Sequence, residues 1–322
     1  MAEFIHLTNK TEYSLSEGAL PISRIAELCQ TFEMPAVGIS DSNNMFGALE
    51  FSTQISKAGV QPIIGCNIRI KTPSDLIHES IKDPFFYMNL YSKDNVGYQN
   101  LLKLISTSYM NSKKDSYIEI NDLFSLKDGI IVLTGGNNSI FKQCKNKIIS
   151  NQANTFIKLL KENFNDNLYM EIQRLGKDHE ILDEYCLLSI AYDNGLPLVA
   201  TNDVFFESPE YYEAHDALTC IEKKLYVSQS DRLKLSDQHY FKSPDEMKEL
   251  FNDLPEAVYN TIEIAEKCSF KPSIQKPILP VFPINEQTEK DLITKLSNEG
   301  LELRLKEKFA LENIDSLGKD EI

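Results

Sequence analysis

The stretch PAVGISDSNNMFGALEF (35–51), followed closely by KAGVQPIIGCNIRI (57–70), decides the fold. Each part contains an apolar run rich in β-branched residues, AVGIS (36–40) and PIIGCNIRI (62–70). Such runs, bounded by polar residues, predict strands. Five more runs of this kind occur along the chain: FIHLT (4–8), FFYMNLY (85–91), GIIVLTG (129–135), NLYMEIQ (167–173) and PLVATND (197–203).

Helix candidates lie between these runs. PISRIAELCQTFE (21–33) starts with Pro21, which suits a first helical turn, and HEILDEYCLLSIAYDNG (179–195) ends on Gly195, which suits a C-cap. Alternating strands and helices predict a mainly parallel sheet with crossover helices. Seven strand runs within residues 4–203 are too many for a short sheet and suit a barrel. We therefore predict an α/β fold, a distorted (β/α)7 barrel.

Composition excludes several functional classes. The chain has 322 residues, of which 48 are acidic and 33 basic, for a net charge of −15, whereas phosphate-binding surfaces are normally basic. No apolar run reaches the length of a membrane span, and the N-terminus lacks the features of a signal peptide, so we expect a cytoplasmic protein. The six cysteines are scattered without a CxxC pair, and we expect buried thiols.

The amino-acid composition changes near residue 270. KPSIQKPILPVFPINEQ (271–287) holds four prolines, which predicts a linker, and TEKDLITKLSNEGLELRLKEKF (288–309) predicts a helix with Thr288 as N-cap. One helix cannot bury a core. We predict a barrel domain over residues 1–275 and, over 276–322, a linker with the helical start of a second domain.

Polar residues follow the predicted strands at 8–10, 41–44, 67 and 201–203. Barrels of this class carry their functional sites where strands end and loops begin. The sequence therefore predicts a site at this end of the barrel.

Several stretches together carry a resemblance. The chain resembles the PHP (polymerase and histidinol phosphatase) domain. The resemblance rests on the stretches 35–51 and 57–70 together with GYQNLLKLIS (97–106), GIIVLTGG (129–136), LPLVATNDVFF (196–206), EAHDALTCI (213–221) and HYFKSPDEM (239–247). More specifically, the chain resembles the PHP domain at the N-terminus of bacterial DNA polymerase III alpha subunits. KPILPVFP (276–283) with EGLELRL (299–305) is similar to the passage from that domain into the palm. This implies that residues 276–322 begin a palm domain whose acidic residues and magnesium ions lie outside this sequence. The sequence would then be an N-terminal fragment without polymerase activity.

The resemblance also implies a set of positions that hold a trinuclear metal cluster in metal-binding PHP domains. The aligned residues here are Thr8, Lys10, Glu17, Asp41, Ser42, Asn67, Tyr87, Gly136, Leu175, Asp203 and Phe205. Only Glu17 and Asp203 remain plausible ligands, and a lysine ammonium repels a cation. We predict a degenerate site with no metal, no cofactor and no catalytic residue. We further expect Lys10 to pair with Glu17, Asp41 or Asp203, and the five histidines to have core or surface roles.

Two main functions follow from the resemblance. The first is a catalytically silent PHP barrel of a DNA-directed DNA polymerase, which supports the polymerase, docks a proofreading exonuclease subunit and other replicase subunits, and meets DNA only through domains absent here. The alternative is a metal-dependent phosphoesterase, acting as a 3′–5′ exonuclease or pyrophosphatase, which requires an intact metal site. A free-standing small-molecule phosphatase of the PHP type is a third possibility, against which the incomplete second domain argues.

Overall fold

The computed structural model describes residues 4–73, 84–111, 116–136, 139–143, 147–176, 180–229, 231–232, 234–279, 282 and 288–309. The chain forms two compact units, residues 1–274 and residues 275–322. Within the described ranges, no helix is long and apolar enough to cross a membrane.

A six-stranded sheet forms the centre of the first unit. Its strands pair in chain order: β1 (Ala36–Ser42), β2 (Gln61–Lys71), β3 (Phe85–Ser92), β4 (Ile130–Leu133), β5 (Leu168–Gln173) and β6 (Leu198–Thr201). Three neighbouring pairs are parallel, but β3 runs antiparallel to both β2 and β4. The reversal of β3 departs from the predicted uniform β–α alternation. Residues 72–84 link β2 to the antiparallel β3.

Residues 4–11, here called the N-terminal segment, close the sheet into a ring. On one side His6 O accepts from Gly38 N at 2.7 Å and Asn9 O accepts from Ser40 N at 3.0 Å. On the other side Lys10 N donates to Val204 O at 2.8 Å, just beyond β6. The first predicted strand, FIHLT (4–8), therefore bridges the two edges of the sheet without forming a regular strand. The predicted α/β barrel is confirmed, as a curled six-stranded sheet that this segment completes.

Helices surround the sheet of the first unit. They are α1 (Ile22–Thr31), α2 (Ala48–Lys57), α3 (Asn95–Asn111), α4 (Ile120–Ser125), α5 (Lys147–Phe164), α6 (Glu180–Asn194), α7 (Tyr212–Lys223), α8 (Pro244–Leu250) and α9 (Pro255–Lys267). Pro21 directly precedes α1, and Gly195 follows α6 with φ of 60°, as the sequence predicts. In the second unit, α10 (Glu289–Phe309) begins where Thr288 Oγ1 accepts from Asp291 N at 3.2 Å, which confirms the predicted cap.

Apolar side chains alternate across the pleat and form two clusters. The outer cluster packs between sheet and helices, and the inner cluster takes the intervening strand residues, among them Ile63, Tyr91 and Val199. Ile264 at the end of α9 joins the inner cluster. Since Asn260 of α9 also donates to the carbonyl of Leu198 at the start of β6, α9 lies at the amino ends of the strands that run parallel to β6.

The cysteines largely follow the prediction. Four described thiols are buried and one is half-buried: Cys29, Cys66, Cys220 and Cys268 in the first group, and Cys186 in the second. Cys144 lies outside the described residues. Burial raises the pKa of Cys29, Cys66 and Cys268 to about 12, which makes their thiols unreactive near neutral pH.

Candidate functional site: the barrel mouth

A polar cavity of about 440 Å³ opens at the carboxyl ends of the five strands that run in the same direction, where the antiparallel β3 contributes Tyr87 and Asn89. It contains seven of the predicted site positions: Lys10, Glu17, Ser42, Asn67, Tyr87, Asp203 and Phe205. The structure therefore brings together residues that are up to 195 positions apart in sequence, from Lys10 to Phe205. Of these, Phe205 has no atom that can coordinate a metal, and Tyr87 carries a phenol in place of an imidazole.

The other four positions lie beside or beneath the cavity. Leu175 is fully buried. Gly136 adopts φ of 47°, and a Cβ there would lie 2.3 Å from Cδ of Gln173, so a side chain at this position would be strained and would displace Gln173. Thr8 and Asp41 are buried and serve as hydrogen-bonding groups. None of the four presents a free ligand to the cavity.

Asp41, at the end of β1, organises the turn that follows the N-terminal segment. Its carboxylate accepts from Thr11 N at 2.7 Å, Thr11 Oγ1 at 2.8 Å and Ser14 Oγ at 2.6 Å. Burial raises the pKa of Asp41, while these donors and the charge of Lys10 oppose that rise. Its oxygens are committed to holding residues 11–14.

Lys10 is buried, with 3% of its surface exposed, and its ammonium donates to Ser40 O at 2.6 Å. The predicted ion pair of Lys10 with Glu17, Asp41 or Asp203 is wrong, because no carboxylate among the described residues lies within 4.0 Å of the ammonium. The side chain instead reaches the carbonyl at the end of β1. Its charge acts on Asp41 only from a longer distance.

Glu17 lies at the rim, where Oε2 accepts from Ser42 Oγ at 2.5 Å. Its backbone carbonyl meets Nε2 of His215 at 2.5 Å, which ties α7 to the rim. Burial lowers the pKa of His215, so this imidazole is neutral at physiological pH.

The remaining histidines also serve the fold where they are described. His6 packs against the rings of Phe4 and Phe241, and Nε2 meets Lys242 O at 2.7 Å. Desolvation lowers the pKa of His6 to about 4. His239 Nδ1 meets Asp203 O at 2.8 Å. His78 and His179 lie outside the described residues.

Glu171, in the middle of β5, is a functional candidate that sequence reasoning missed. It is fully buried, and it accepts hydrogen bonds from Thr8, Asn89, Gly135, Gln173 and Thr201. Desolvation raises its pKa, and these donors oppose the rise. A signal existed, because an acid stands between Met170 and Ile172 in an otherwise apolar strand run. Buried carboxylates are rare without a partner.

These residues do not fit the metal cluster that the predicted family implies. Within the described part of the chain, no three His, Cys, Asp or Glu side chains are grouped so that they could hold a metal ion. The carboxylates of Asp41 and Glu171 are surrounded by donors, and an ammonium lies at the mouth. A polynuclear hydrolytic site needs adjacent metals to hold the attacking and leaving oxygens, so we derive no hydrolytic step for this mouth.

Comparisons with known proteins identify the family of the chain. The family model described as "PHP domain" matches residues 6–175. The DNA polymerase III subunit alpha of Rickettsia felis is 37% identical over 322 residues, which are 99% of this chain and 26% of the relative. The subunit of Caulobacter vibrioides is 37% identical over 309 residues, covering 94% of this chain and 27% of the relative.

The chain thus spans about a quarter of the length of these relatives. Among solved structures, an amidohydrolase from Chromobacterium violaceum aligns with a TM-score of 0.42 and 10% identity, over 62% of this chain and 87% of that one. Because the family model covers more than half of the residues, including Lys10, Asp41 and Glu171, the chain belongs to the PHP domain family.

Proposed function

We propose that this chain is the PHP region of a replicative DNA polymerase III alpha subunit and acts there as a metal-free, catalytically inactive scaffold that docks the proofreading exonuclease. The observation that carries the proposal is the set of contacts made by the charged side chains at the barrel mouth. Its buried carboxylates are engaged by internal donors, and Lys10 stands at a position where the resemblance to metal-binding PHP domains implies a ligand. A barrel without a catalytic mouth still offers a large rigid surface.

The similarity to alpha subunits supports this proposal over a phosphoesterase. It extends over 94–99% of this chain, beyond the end of the family match at residue 175 and into the second unit. We propose that residues 276–322 belong to the palm, and that polymerase activity and its magnesium ions belong to the remainder of the parent protein. No described feature of the mouth favours the phosphoesterase.

Partners follow from the same reasoning. We propose the proofreading exonuclease and other replicase subunits as protein partners, in the cytoplasm, and DNA only through other parts of the parent protein. The net charge of −15 supports the last point, since an acidic surface repels phosphates.

Binding of the exonuclease subunit tests the docking role. The subunit from the same organism would be titrated against residues 1–322 by calorimetry, with and without EDTA. We expect saturable binding that EDTA leaves unchanged. Absence of binding would contradict the docking role.

Turnover tests the inactive mouth. A phosphodiester substrate would be incubated with the chain and manganese or zinc, and with an Asp203→Asn variant as control. We expect no hydrolysis above background. Hydrolysis that the variant abolishes would support the phosphoesterase instead.

A further inference from the structure

We propose that Glu171 is the anionic centre of a hydrogen-bonded cage that braces the barrel mouth and seats the N-terminal segment, the mechanical role that a metal cluster would otherwise serve. The cage consists of Glu171 and its donors Thr8, Asn89, Gly135, Gln173 and Thr201. This inference does not depend on the exonuclease. The cage holds the strands and the N-terminal segment together at the mouth of the barrel.

The donors come from five different parts of the ring. Thr8 lies on the N-terminal segment, Asn89 on β3, Gly135 just after β4, Gln173 on β5 and Thr201 at the end of β6. Their distances to the carboxylate oxygens are 3.2 Å for Thr8 Oγ1, 3.1 and 3.0 Å for Asn89 Nδ2, 3.0 Å for Gly135 N, 3.2 Å for Gln173 Nε2 and 2.6 Å for Thr201 Oγ1. One carboxylate therefore cross-links most of the barrel mouth.

Strand β2 joins the cage indirectly, through a donor of Glu171. Asn67 on β2 donates to Asn89 Oδ1 at 2.8 Å. This bond occupies the carbonyl of the Asn89 amide and directs its NH2 group towards Glu171. Gln173 Nε2 also donates to Thr201 Oγ1 at 3.1 Å, so the donors brace one another.

The arrangement requires an acceptor on both oxygens of residue 171. The Gly135 N–H and the amide NH2 groups of Asn89 and Gln173 can only donate. A glutamine at 171 would present its own NH2 group to such donors on one side, and the polar groups left without partners would be buried. A carboxylate satisfies all of them, and their number stabilises a charge that forms no ion pair with any described residue.

The N-terminal segment depends on this cage at Thr8. Its backbone is held at the edges by β1 and by Val204, whereas Thr8 Oγ1 ties it inwards to β5. Loss of the central acceptor should let the segment open more often. Lys10, which is now buried, would then become accessible to trypsin.

The test compares Glu171→Gln with Glu17→Gln, a matched change at the rim of the same mouth, where Glu17 accepts from Ser42. Hydrogen exchange would be followed at the amides of Lys10, Gly38 and Ser40, together with tryptic cleavage after Lys10 in the full chain. We expect exchange to be at least about 10-fold faster and Tm to fall by about 5 °C in Glu171→Gln. Glu17→Gln should behave like the wild type.

Thr201→Val keeps the acid and removes the shortest donor, and it serves if Glu171→Gln does not fold. It should accelerate exchange at the same three amides by an intermediate factor. The proposal is overturned if Glu171→Gln matches Glu17→Gln, or if a folded Thr201→Val matches the wild type. It is also overturned if EDTA alone produces the loosening in the wild type, because a bound metal would then be the brace.

Discussion

Lys10→Met is the substitution that most directly tests the role of the buried lysine. The wild-type ammonium donates to Ser40 O at 2.6 Å, and its charge opposes the rise in the pKa of Asp41 that burial causes. Methionine has similar volume, so the substitution removes the donor and the charge with little loss of packing.

The expected magnitude is moderate. A hydrogen bond from a charged group contributes about 1.5–3 kcal/mol, and relief of the desolvated ammonium returns part of that, so we expect a loss of about 2 kcal/mol. The unit of residues 1–274 has an unfolding entropy of about 0.6 kcal/mol/K, which converts this loss to a fall in Tm of about 3 °C. Because Asp41 then ionises less readily in the folded state, the deficit should be larger at about pH 8 than at about pH 4.

Calorimetry of the variant against Lys103→Met provides the assay. Lys103 is an exposed residue of α3, so its replacement controls for the loss of one lysine charge. We expect the Tm of Lys103→Met to stay within about 1 °C of the wild type. Equal Tm values for Lys10→Met and Lys103→Met would refute a structural role for Lys10.

Three further perturbations probe the packing around the mouth. Burial lowers the pKa of His6 to about 4, so on acidification the unfolded chain binds a proton at His6 before the folded chain does. The free energy of unfolding should therefore fall by up to about 3 kcal/mol as pH drops from about 6.5 to 4. In urea titrations, His6→Gln should show a smaller change in this free energy over the same pH range. A Cβ on Gly38 would lie 2.3 Å from Leu7 O, so Gly38→Ala should push the N-terminal segment away from β1 and cost about 2–3 kcal/mol by the same titrations. Arg232 forms a two-pronged pair with Asp216 on α7 and also donates to Val227 O, so Arg232→Leu should speed proteolytic cleavage within residues 224–229, and an unchanged rate would contradict this role.

Several features of the fold could be predicted because they depend on local physics. Pro21 and Gly195 mark helix ends through their backbone preferences, and Thr288 caps α10 through its hydroxyl. Strand positions followed from short apolar runs. The direction of β3 could not be read from such a run, because direction is set by connections and by neighbours far along the chain.

The candidate site divides in the same way. Motif positions identified seven residues of the cavity, but the partners of Lys10 and Glu171 depend on side-chain reach across the ring. Lys10 meets a carbonyl 30 residues away, and Glu171 meets donors as far away as Thr8, at a separation of 163 residues. No spacing rule connects such positions. An isolated acid in an apolar strand was the one local sign that Glu171 matters.

The most direct test of the account is the metal content of the chain. Residues 1–322 would be dialysed with zinc and manganese, freed of excess ions, and measured by elemental mass spectrometry. We predict a value close to zero metal ions per chain, with Tm unchanged by the dialysis. Two or three ions per chain, lost on replacement of Asp203 with asparagine, would contradict it and would point to an intact hydrolytic site.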